Sequence, residues 1–168
     1  MSKGVNDAEK MIIKAKDLLS EGEFEKAAKL FDKIIKVDPN NSVGYFGKAE
    51  ASIGVPKFSM VEVAQLYRKA IELEPNNAFY HKSYGDFCLD NGLLTQAEDA
   101  YKQAIKLDPD GARFYYSDLA IGYYNSGMLF PERQLNMTED DIVKKALHYS
   151  LKALDMDEKR ALDILSKK

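Results

Sequence analysis

Cysteine, histidine and tryptophan are scarce in this sequence of 168 residues, which has one cysteine, two histidines and no tryptophan. The single cysteine, Cys88, cannot form a disulfide within the chain. His81 and Cys88 are seven positions apart, but a metal site would need about two further ligands. The other histidine, His148, is distant in the sequence. We therefore expect no metal site, and we interpret His81 and Cys88 as core residues.

Long apolar runs and an excess of charge of one sign are also missing. No run approaches the ~18 apolar residues that cross a bilayer, and the first residues contain no apolar segment typical of a secretion signal. The 24 basic and 27 acidic residues give a net charge of −3 and are interspersed, which argues against a nucleic-acid partner. We expect a cytoplasmic protein that does not insert into a membrane.

Sequence features of catalysis are absent too. No glycine-rich phosphate-binding loop follows a strand pattern, and no strand pattern is present. The abundant aspartates and glutamates fit solvated charge on helix surfaces. We predict no catalytic residue, no cofactor and no enzymatic activity. A composition of 45% apolar and 30% charged residues is that of an ordinary globular protein.

One short phrase occurs three times in the chain. It is spelled IIKVDPNN, AIELEPNN and AIKLDPDG. Its prolines, Pro39, Pro75 and Pro109, are 36 and 34 residues apart. Proline cannot continue a helix, and it disfavours helical geometry in the residue before it. Each phrase therefore predicts the end of an amphipathic helix followed by a polar turn.

The third unit resembles the tetratricopeptide repeat, a helix–turn–helix unit of about 34 residues. The resemblance depends on small and aromatic residues at fixed positions and on the closing proline: Gly85, Ala97, Tyr101, Ala104 and Pro109. At two further positions, His81 and Cys88 depart from the large aromatic residues that the family prefers. The small residues have a physical role, because helices approach to ~8–10 Å only where the side chains at their crossing are short.

The resemblance implies an all-α fold, a right-handed superhelical solenoid of antiparallel helix pairs that ends in a capping helix. We predict a single domain, 1–168, with repeats at about 8–41, 42–77, 78–111 and 113–158, an insertion near 128–141 and a capping helix at about 158–167. Two capping boxes support the helix starts, Ser59 with Glu62 and Thr138 with Asp141. In the fourth repeat we assign the aromatic position of the second helix to Ser150.

The fourth repeat is longer than the third, and its surplus falls between its two helices. The surplus contains Met128, Leu129, Phe130, Leu135 and Met137, too many apolar residues for a simple solvated loop. One interpretation is a short helical turn that folds back over its own repeat. The alternative is a second contact surface outside the groove.

The first helix of each repeat carries a second apolar stripe beside the one that packs. In the family that the chain resembles, this stripe lines a concave groove in which extended peptides or partner helices lie. The resemblance therefore implies a partner-binding groove lined by Ile12, Lys16, Leu19, Val43, Phe46, Glu50, Ile53, Phe79, Lys82, Asp86, Leu89, Phe114, Ser117, Ile121 and Tyr124. An exposed apolar patch rimmed by charge usually marks an interaction site.

Two binding modes of the resembling family lack their residues here. The positions that hold acidic chaperone tails carry Ile12, Lys16, Gly47, Phe79 and Ser83. The positions of the asparagine ladder of O-linked GlcNAc transferases carry Ile13, Gly47, Ser83 and Asp118 or a neighbour. We predict a non-catalytic adaptor that binds a protein or peptide with apolar anchors and mixed charge. The alternative is a scaffold that oligomerises through its repeat ends or its groove.

Overall fold

The computed structural model describes residues 2–134 and 137–166, and this part of the chain is helical. It contains nine α-helices and one 3₁₀ turn, and no strand. They are α1 Ser2–Ser20, α2 Phe24–Val37, α3 Ser42–Ser52, α4 Met60–Leu73, α5 Ala78–Asp90, α6 Leu94–Leu107, α7 Ala112–Leu129, the 3₁₀ turn Pro131–Arg133, α8 Glu139–Ala153 and α9 Glu158–Ser166. The predicted all-α class of helix pairs is confirmed. None of the described helices is both long and apolar enough to span a membrane.

Local sequence signals set the helix boundaries. Both predicted capping boxes are formed: the Ser59 hydroxyl accepts from the backbone N–H of Glu62 at the start of α4, and Thr138 makes the same bond with Asp141 before α8. The helices α2, α4 and α6 each end two residues before Pro39, Pro75 and Pro109, so the prolines act as predicted. These signals are local in sequence, which is why they could be recognised without the fold.

The helices form two compact units, residues 1–76 and 77–168. In the first unit, α1 packs on α2, α2 on α3 and α3 on α4. In the second, α5 packs on α6, both contact α7, and α7 packs on α8. Each helix pair falls within one predicted repeat, although α1 begins at Ser2, earlier than the predicted start near residue 8. The assignment of the whole chain to one domain stays a prediction.

Small residues let the helices of the first unit approach closely. The Phe31 ring of α2 is fully buried and lies against Gly47 of α3, where a β-carbon would be only 2.2 Å from the ring. Ala15, Ala27 and Ala51 complete the core around Phe31. Burial of these apolar side chains is the main favourable contribution to folding.

The second unit uses the same kind of crossing at Gly85, the position predicted for it. A β-carbon at Gly85 would be 2.6 Å from the ring of Tyr101, which is completely buried. In the fourth repeat, Gly127 of α7 lies against Ile142 of α8 in the same way. The aromatic position of α8 was assigned wrongly, because Tyr149 is buried there and Ser150 is only half-buried.

The insertion in the fourth repeat packs on the preceding repeat. The helix α7 continues to Leu129, and the 3₁₀ turn follows. The Phe130 side chain lies against Gly92 in the turn between α5 and α6, and the buried Gln134 amide donates to the Gly92 carbonyl at 3.0 Å. The prediction of a short helical turn is thus right, but the turn also covers the third repeat. Leu135 lies outside the described residues.

The last helix, α9, is separated from α8 by a break at residues 154–157. It ends at Ser166, and position 167 of the predicted capping helix lies outside the described residues. The side chains of Leu162 and Ile164 on α9 are exposed. The capping role of this helix stays a prediction.

Candidate protein-interaction surface

Large apolar side chains are exposed along α5 and α7 of the second unit. Phe79 is 59% exposed on α5, and on α7 the exposed fractions are 72% for Phe114, 62% for Ile121 and 45% for Tyr124. On α7 the spacing of seven and three residues places these side chains on one side of the helix. We call this surface, with Lys82, Asp86, Ser117 and Asp118 between the apolar residues, the α5–α7 face.

An ion triad connects the two helices of this face. The Lys82 ammonium lies 2.8 Å from the Asp86 carboxylate of α5 and 3.0 Å from the Asp118 carboxylate of α7. Burial alone would lower the pKa of Lys82, but the hydrogen bonds to Asp86 and Asp118 outweigh it, so that the pKa is raised. Lys82 is therefore charged at neutral pH and already paired with two carboxylates.

A buried tyrosine holds the Asp86 carboxylate in place. The Tyr101 hydroxyl of α6 donates to Asp86, and its ring is fixed by its packing on Gly85. Burial and the bond to Asp86 raise the pKa of Tyr101 far above its ordinary value, so the hydroxyl remains a donor. The carboxylate is thus oriented by a core residue and needs no partner to order it.

The same pair occurs in the first unit. The Tyr67 hydroxyl of α4 donates to the Glu50 carboxylate of α3 at 2.5 Å. Glu50 and Asp86 occupy equivalent positions of consecutive repeats. In the first repeat the matching residues are Lys16 and Phe31, and phenylalanine has no hydroxyl to donate. The sequence analysis did not identify the hydrogen bond between these two positions. A signal for it was present, because the acid and the tyrosine of the second repeat are both replaced in the first repeat, by lysine and phenylalanine.

A further carboxylate, Asp90, lies one helical turn beyond Asp86 on α5. Its pKa is raised by burial and by the neighbouring charge of Asp86. Among the described residues, no cation forms an ion pair with Asp90. The α5–α7 face therefore ends in an acidic residue whose charge is not neutralised by the protein.

Leu89 was assigned to the groove wrongly. Its side chain is only 5% exposed, and it fills the space above Gly122 of α7. The Ser126 hydroxyl donates to the Leu89 carbonyl at 2.5 Å, which fixes this crossing of α5 and α7. The apolar stripe of α5 therefore turns into the core at its last turn.

In the first unit, the predicted groove residues are mostly packed. Ile12 and Leu19 lie against the core cluster around Phe31. Phe46 is half-buried, with its ring 6.0 Å from that of Tyr67, and Val43 and Glu50 are half-buried as well. Only Lys16 and Ile53 are exposed. Among the predicted groove residues, the exposed large apolar side chains therefore lie mainly in the second unit.

A second apolar surface, which the sequence reasoning missed, lies on α8. The inward side of α8 buries Ile142, Ala146, Tyr149 and Ala153, whereas Val143, Leu147 and Leu154 are exposed. A cleft of about 470 Å³ is lined by Leu147, Leu151 and Met156 together with Lys144, His148, Lys152, Asp157 and Glu158. We call Val143, Leu147, Leu151 and Leu154 the outer face of α8. Its spacing of four, four and three residues is that of an amphipathic helix surface.

In the part of the chain that the structure describes, no three His, Cys, Asp or Glu side chains are placed to hold a metal ion. Cys88 is completely buried, as predicted, and His81 is half-buried. The raised pKa values of Tyr101 and Tyr149 arise from burial within the core.

Comparisons with known proteins place these helices among helical repeats. Residues 63–112 match the family model described as tetratricopeptide repeat. TPR repeat-containing protein MJ1428 of Methanocaldococcus jannaschii is 29% identical over 161 residues, which are 92% of this chain and 24% of that protein. DnaJ homolog subfamily C member 3 of Bos taurus is 32% identical over 107 residues, 63% of this chain and 21% of that protein. The chain thus spans about a quarter or less of these relatives.

A solved structure has the same fold along most of the chain. The crystal structure of MamA superposes with a TM-score of 0.69 at 20% sequence identity, and the match covers 93% of this chain and 81% of MamA. At this identity the likeness concerns the arrangement of helices. It agrees with the helix pairs described above.

Proposed function

We propose that this chain is a tetratricopeptide-repeat protein that binds a protein segment on the α5–α7 face. Its fold and its relatives are those of a protein-interaction or scaffold module. The proposal goes further by assigning the binding to one surface. We also propose that the protein is not catalytic and that it is located in the cytoplasm.

The observation that supports this assignment is the group of exposed apolar side chains on α5 and α7. Four large residues, Phe79, Phe114, Ile121 and Tyr124, are each at least 45% exposed. A group of large exposed apolar side chains is typical of interaction surfaces. Phenylalanine and tyrosine supply large contact area, and tyrosine adds a polar tip.

The occupant that fits this face is an extended peptide or a helix with apolar anchors. Phe114, Ile121 and Tyr124 follow the axis of α7, which suits a segment that presents anchors at regular intervals. The Lys82 ammonium between the helices is already paired with Asp86 and Asp118. A partner can therefore cover the surface without leaving Lys82 unpaired.

The test is the combined substitution of Phe114→Ala and Ile121→Ala. We expect it to weaken partner binding at least about tenfold, since removal of central apolar anchors usually costs ~1.4 kcal/mol or more. Helicity should be unchanged, because both side chains are exposed. The measurement is quantitative mass spectrometry of proteins captured from native lysate, with circular dichroism of each variant.

A matched control is the combined substitution Phe24→Ala and Val61→Ala. These side chains are also exposed, but they lie on the second helices α2 and α4. Proteins captured by the parent and by this control, but not by the Phe114→Ala and Ile121→Ala variant, would support the proposal. Equal capture by all three proteins would contradict it.

The outer face of α8 favours a second candidate function, self-assembly. Its three exposed residues, Val143 and Leu147 on α8 and Leu154 directly after the helix, form an apolar stripe at the end of the fourth repeat. Such an end surface can bury itself against another copy. We expect the molar mass in solution to rise with concentration, and Leu147→Glu to abolish the rise. A constant monomer mass across a light-scattering concentration series would rule this candidate out.

A further inference from the structure

The charges of the α5–α7 face are unbalanced. The helices α5 and α7 carry three carboxylates, Asp86, Asp90 and Asp118, but only two permanent cations, Lys82 and Arg113. Lys82 is bonded to both Asp86 and Asp118, so its charge is shared between two acids. Asp90 has no cationic partner among the described residues. The centre of the face is therefore negative while its borders are apolar.

We propose that the partner segment is basic, with lysine or arginine side chains between its apolar anchors. This inference rests on the proposed function, because it names the kind of segment that the same face binds. The carboxylates of Asp86 and Asp118 each accept from Lys82 through one oxygen. A carboxylate has about four acceptor sites, so each can accept further bonds from an incoming cation.

Pre-orientation makes Asp86 a suitable anchor for such a cation. One oxygen of the Asp86 carboxylate accepts from the buried Tyr101 hydroxyl. The other oxygen accepts from the Lys82 ammonium. A side chain that is already ordered loses little conformational entropy when a partner binds. Glu50, held by Tyr67 in the first unit, presents a carboxylate that is ordered in the same way.

Acidic and purely apolar segments fit the face less well. An acidic segment would bring like charge next to Asp86, Asp90 and Asp118, and such contacts are unfavourable. A purely apolar segment would remove water from these carboxylates and offer no side-chain donor in return, which is costly for an ionised group. A basic segment avoids both costs.

The probe is a phage-displayed library of random 16-residue peptides (a length chosen for this test) selected on the full chain. We expect the enriched peptides to combine Leu, Ile or Phe with an excess of Lys and Arg. The affinity of synthetic copies of these peptides for the protein is then measured by fluorescence anisotropy. Asp90→Asn combined with Asp118→Asn should lower this affinity about fivefold, since each exposed ion pair contributes little on its own. Asp99→Asn, on the exposed surface of α6, is the matched control and should leave binding unchanged.

The outcomes separate this inference from the proposed function. Basic peptides that lose affinity in the Asp90→Asn and Asp118→Asn variant, but not in the Asp99→Asn variant, support both. Acidic or neutral peptides, or basic ones that are insensitive to the double substitution, overturn the charge assignment. The proposed surface still stands in that case if Phe114→Ala with Ile121→Ala abolishes their binding. A selection without enriched peptides, or with peptides insensitive to Phe114 and Ile121, contradicts the surface itself.

Discussion

Gly85→Leu should lower the free energy of unfolding by about 3 kcal/mol, the upper part of the usual range for overpacking. A β-carbon at this position would be 2.6 Å from the Tyr101 ring, and leucine adds three further carbon atoms. Tyr101 is completely buried and its hydroxyl is bonded to Asp86, so the ring cannot swing out of the crossing without losing both. For a chain of this size, the thermal midpoint should fall by roughly 6–12 °C.

The comparison for this variant is Gln103→Leu on α6. Gln103 is exposed, so the substitution adds the same side chain to the surface and should change the midpoint by less than about 2 °C. Thermal unfolding followed by circular dichroism measures both. A Gly85→Leu variant as stable as the Gln103→Leu variant would show that α5 and α6 do not cross at Gly85.

The sequence predicts much of this fold because the signals for it are local. The prolines after α2, α4 and α6 end helices by their own covalent geometry, and the capping boxes at Ser59 and Thr138 each involve residues three positions apart. The small residue at Gly85 marks a helix crossing because the repeat pattern fixes its position. None of these inferences requires knowledge of distant contacts.

The fourth repeat was less predictable because its pattern is shifted. A pattern transferred from the third repeat selects Ser150, whereas the structure buries Tyr149, whose ring lies 5.8 Å from that of Tyr123. Packing against α7 decides which side of α8 is buried, and α7 is longer than the preceding first helices α3 and α5. The contact of Phe130 with Gly92 joins residues far apart in sequence, and no periodicity indicates it.

Only part of the candidate site was predicted, because helical spacing does not describe packing against the next helix. Helical spacing identified Phe79, Phe114, Ile121 and Tyr124, and the structure leaves all four exposed. Helical spacing could not distinguish Leu89 from these exposed residues, since Leu89 has the same spacing. Leu89 is buried only because Gly122 of α7 leaves room for its side chain. Whether a stripe faces solvent depends on the next helix, which spacing alone does not describe.

A partly buried ion pair joins α6 to α8 and supports the second large prediction. The Lys145 ammonium is 2.5 Å from the Glu98 carboxylate, and the Glu98 residue is only 8% exposed. Burial would raise the pKa of Glu98, but hydrogen bonds from Lys145 and Tyr149 outweigh it and lower the pKa. Burial would lower the pKa of Lys145, and the bond to Glu98 outweighs that effect and raises it.

Lys145→Met should destabilise the protein by about 2 kcal/mol at pH 7. Loss of one partner of a fully buried pair typically costs ~3–5 kcal/mol, but the Lys145 side chain is 46% exposed, and Lys102 remains 3.6 Å from Glu98, so the cost is smaller. Methionine keeps most of the apolar stem of the side chain but lacks the ammonium group, which lies 5.5 Å from the centre of the Tyr123 ring. Lys144→Met, one position earlier on the exposed side of α8, is the control and should have little effect.

The destabilisation by Lys145→Met should depend on pH in a defined direction. Because the folded protein lowers the pKa of Glu98 below the ordinary 4.5, the stabilisation by the pair is complete above that pH and is lost as the pH falls through the folded value. Because the folded protein raises the pKa of Lys145 above 10.5, the stabilisation is present below that pH and is lost as the pH rises through the folded value. The difference in unfolding free energy between parent and variant should therefore be largest between about pH 5 and 10 and shrink on either side. Urea unfolding at a series of pH values measures it, and a difference that stays constant from pH 7 down to pH 3 would mean that the ionised pair does not stabilise the contact of α6 with α8.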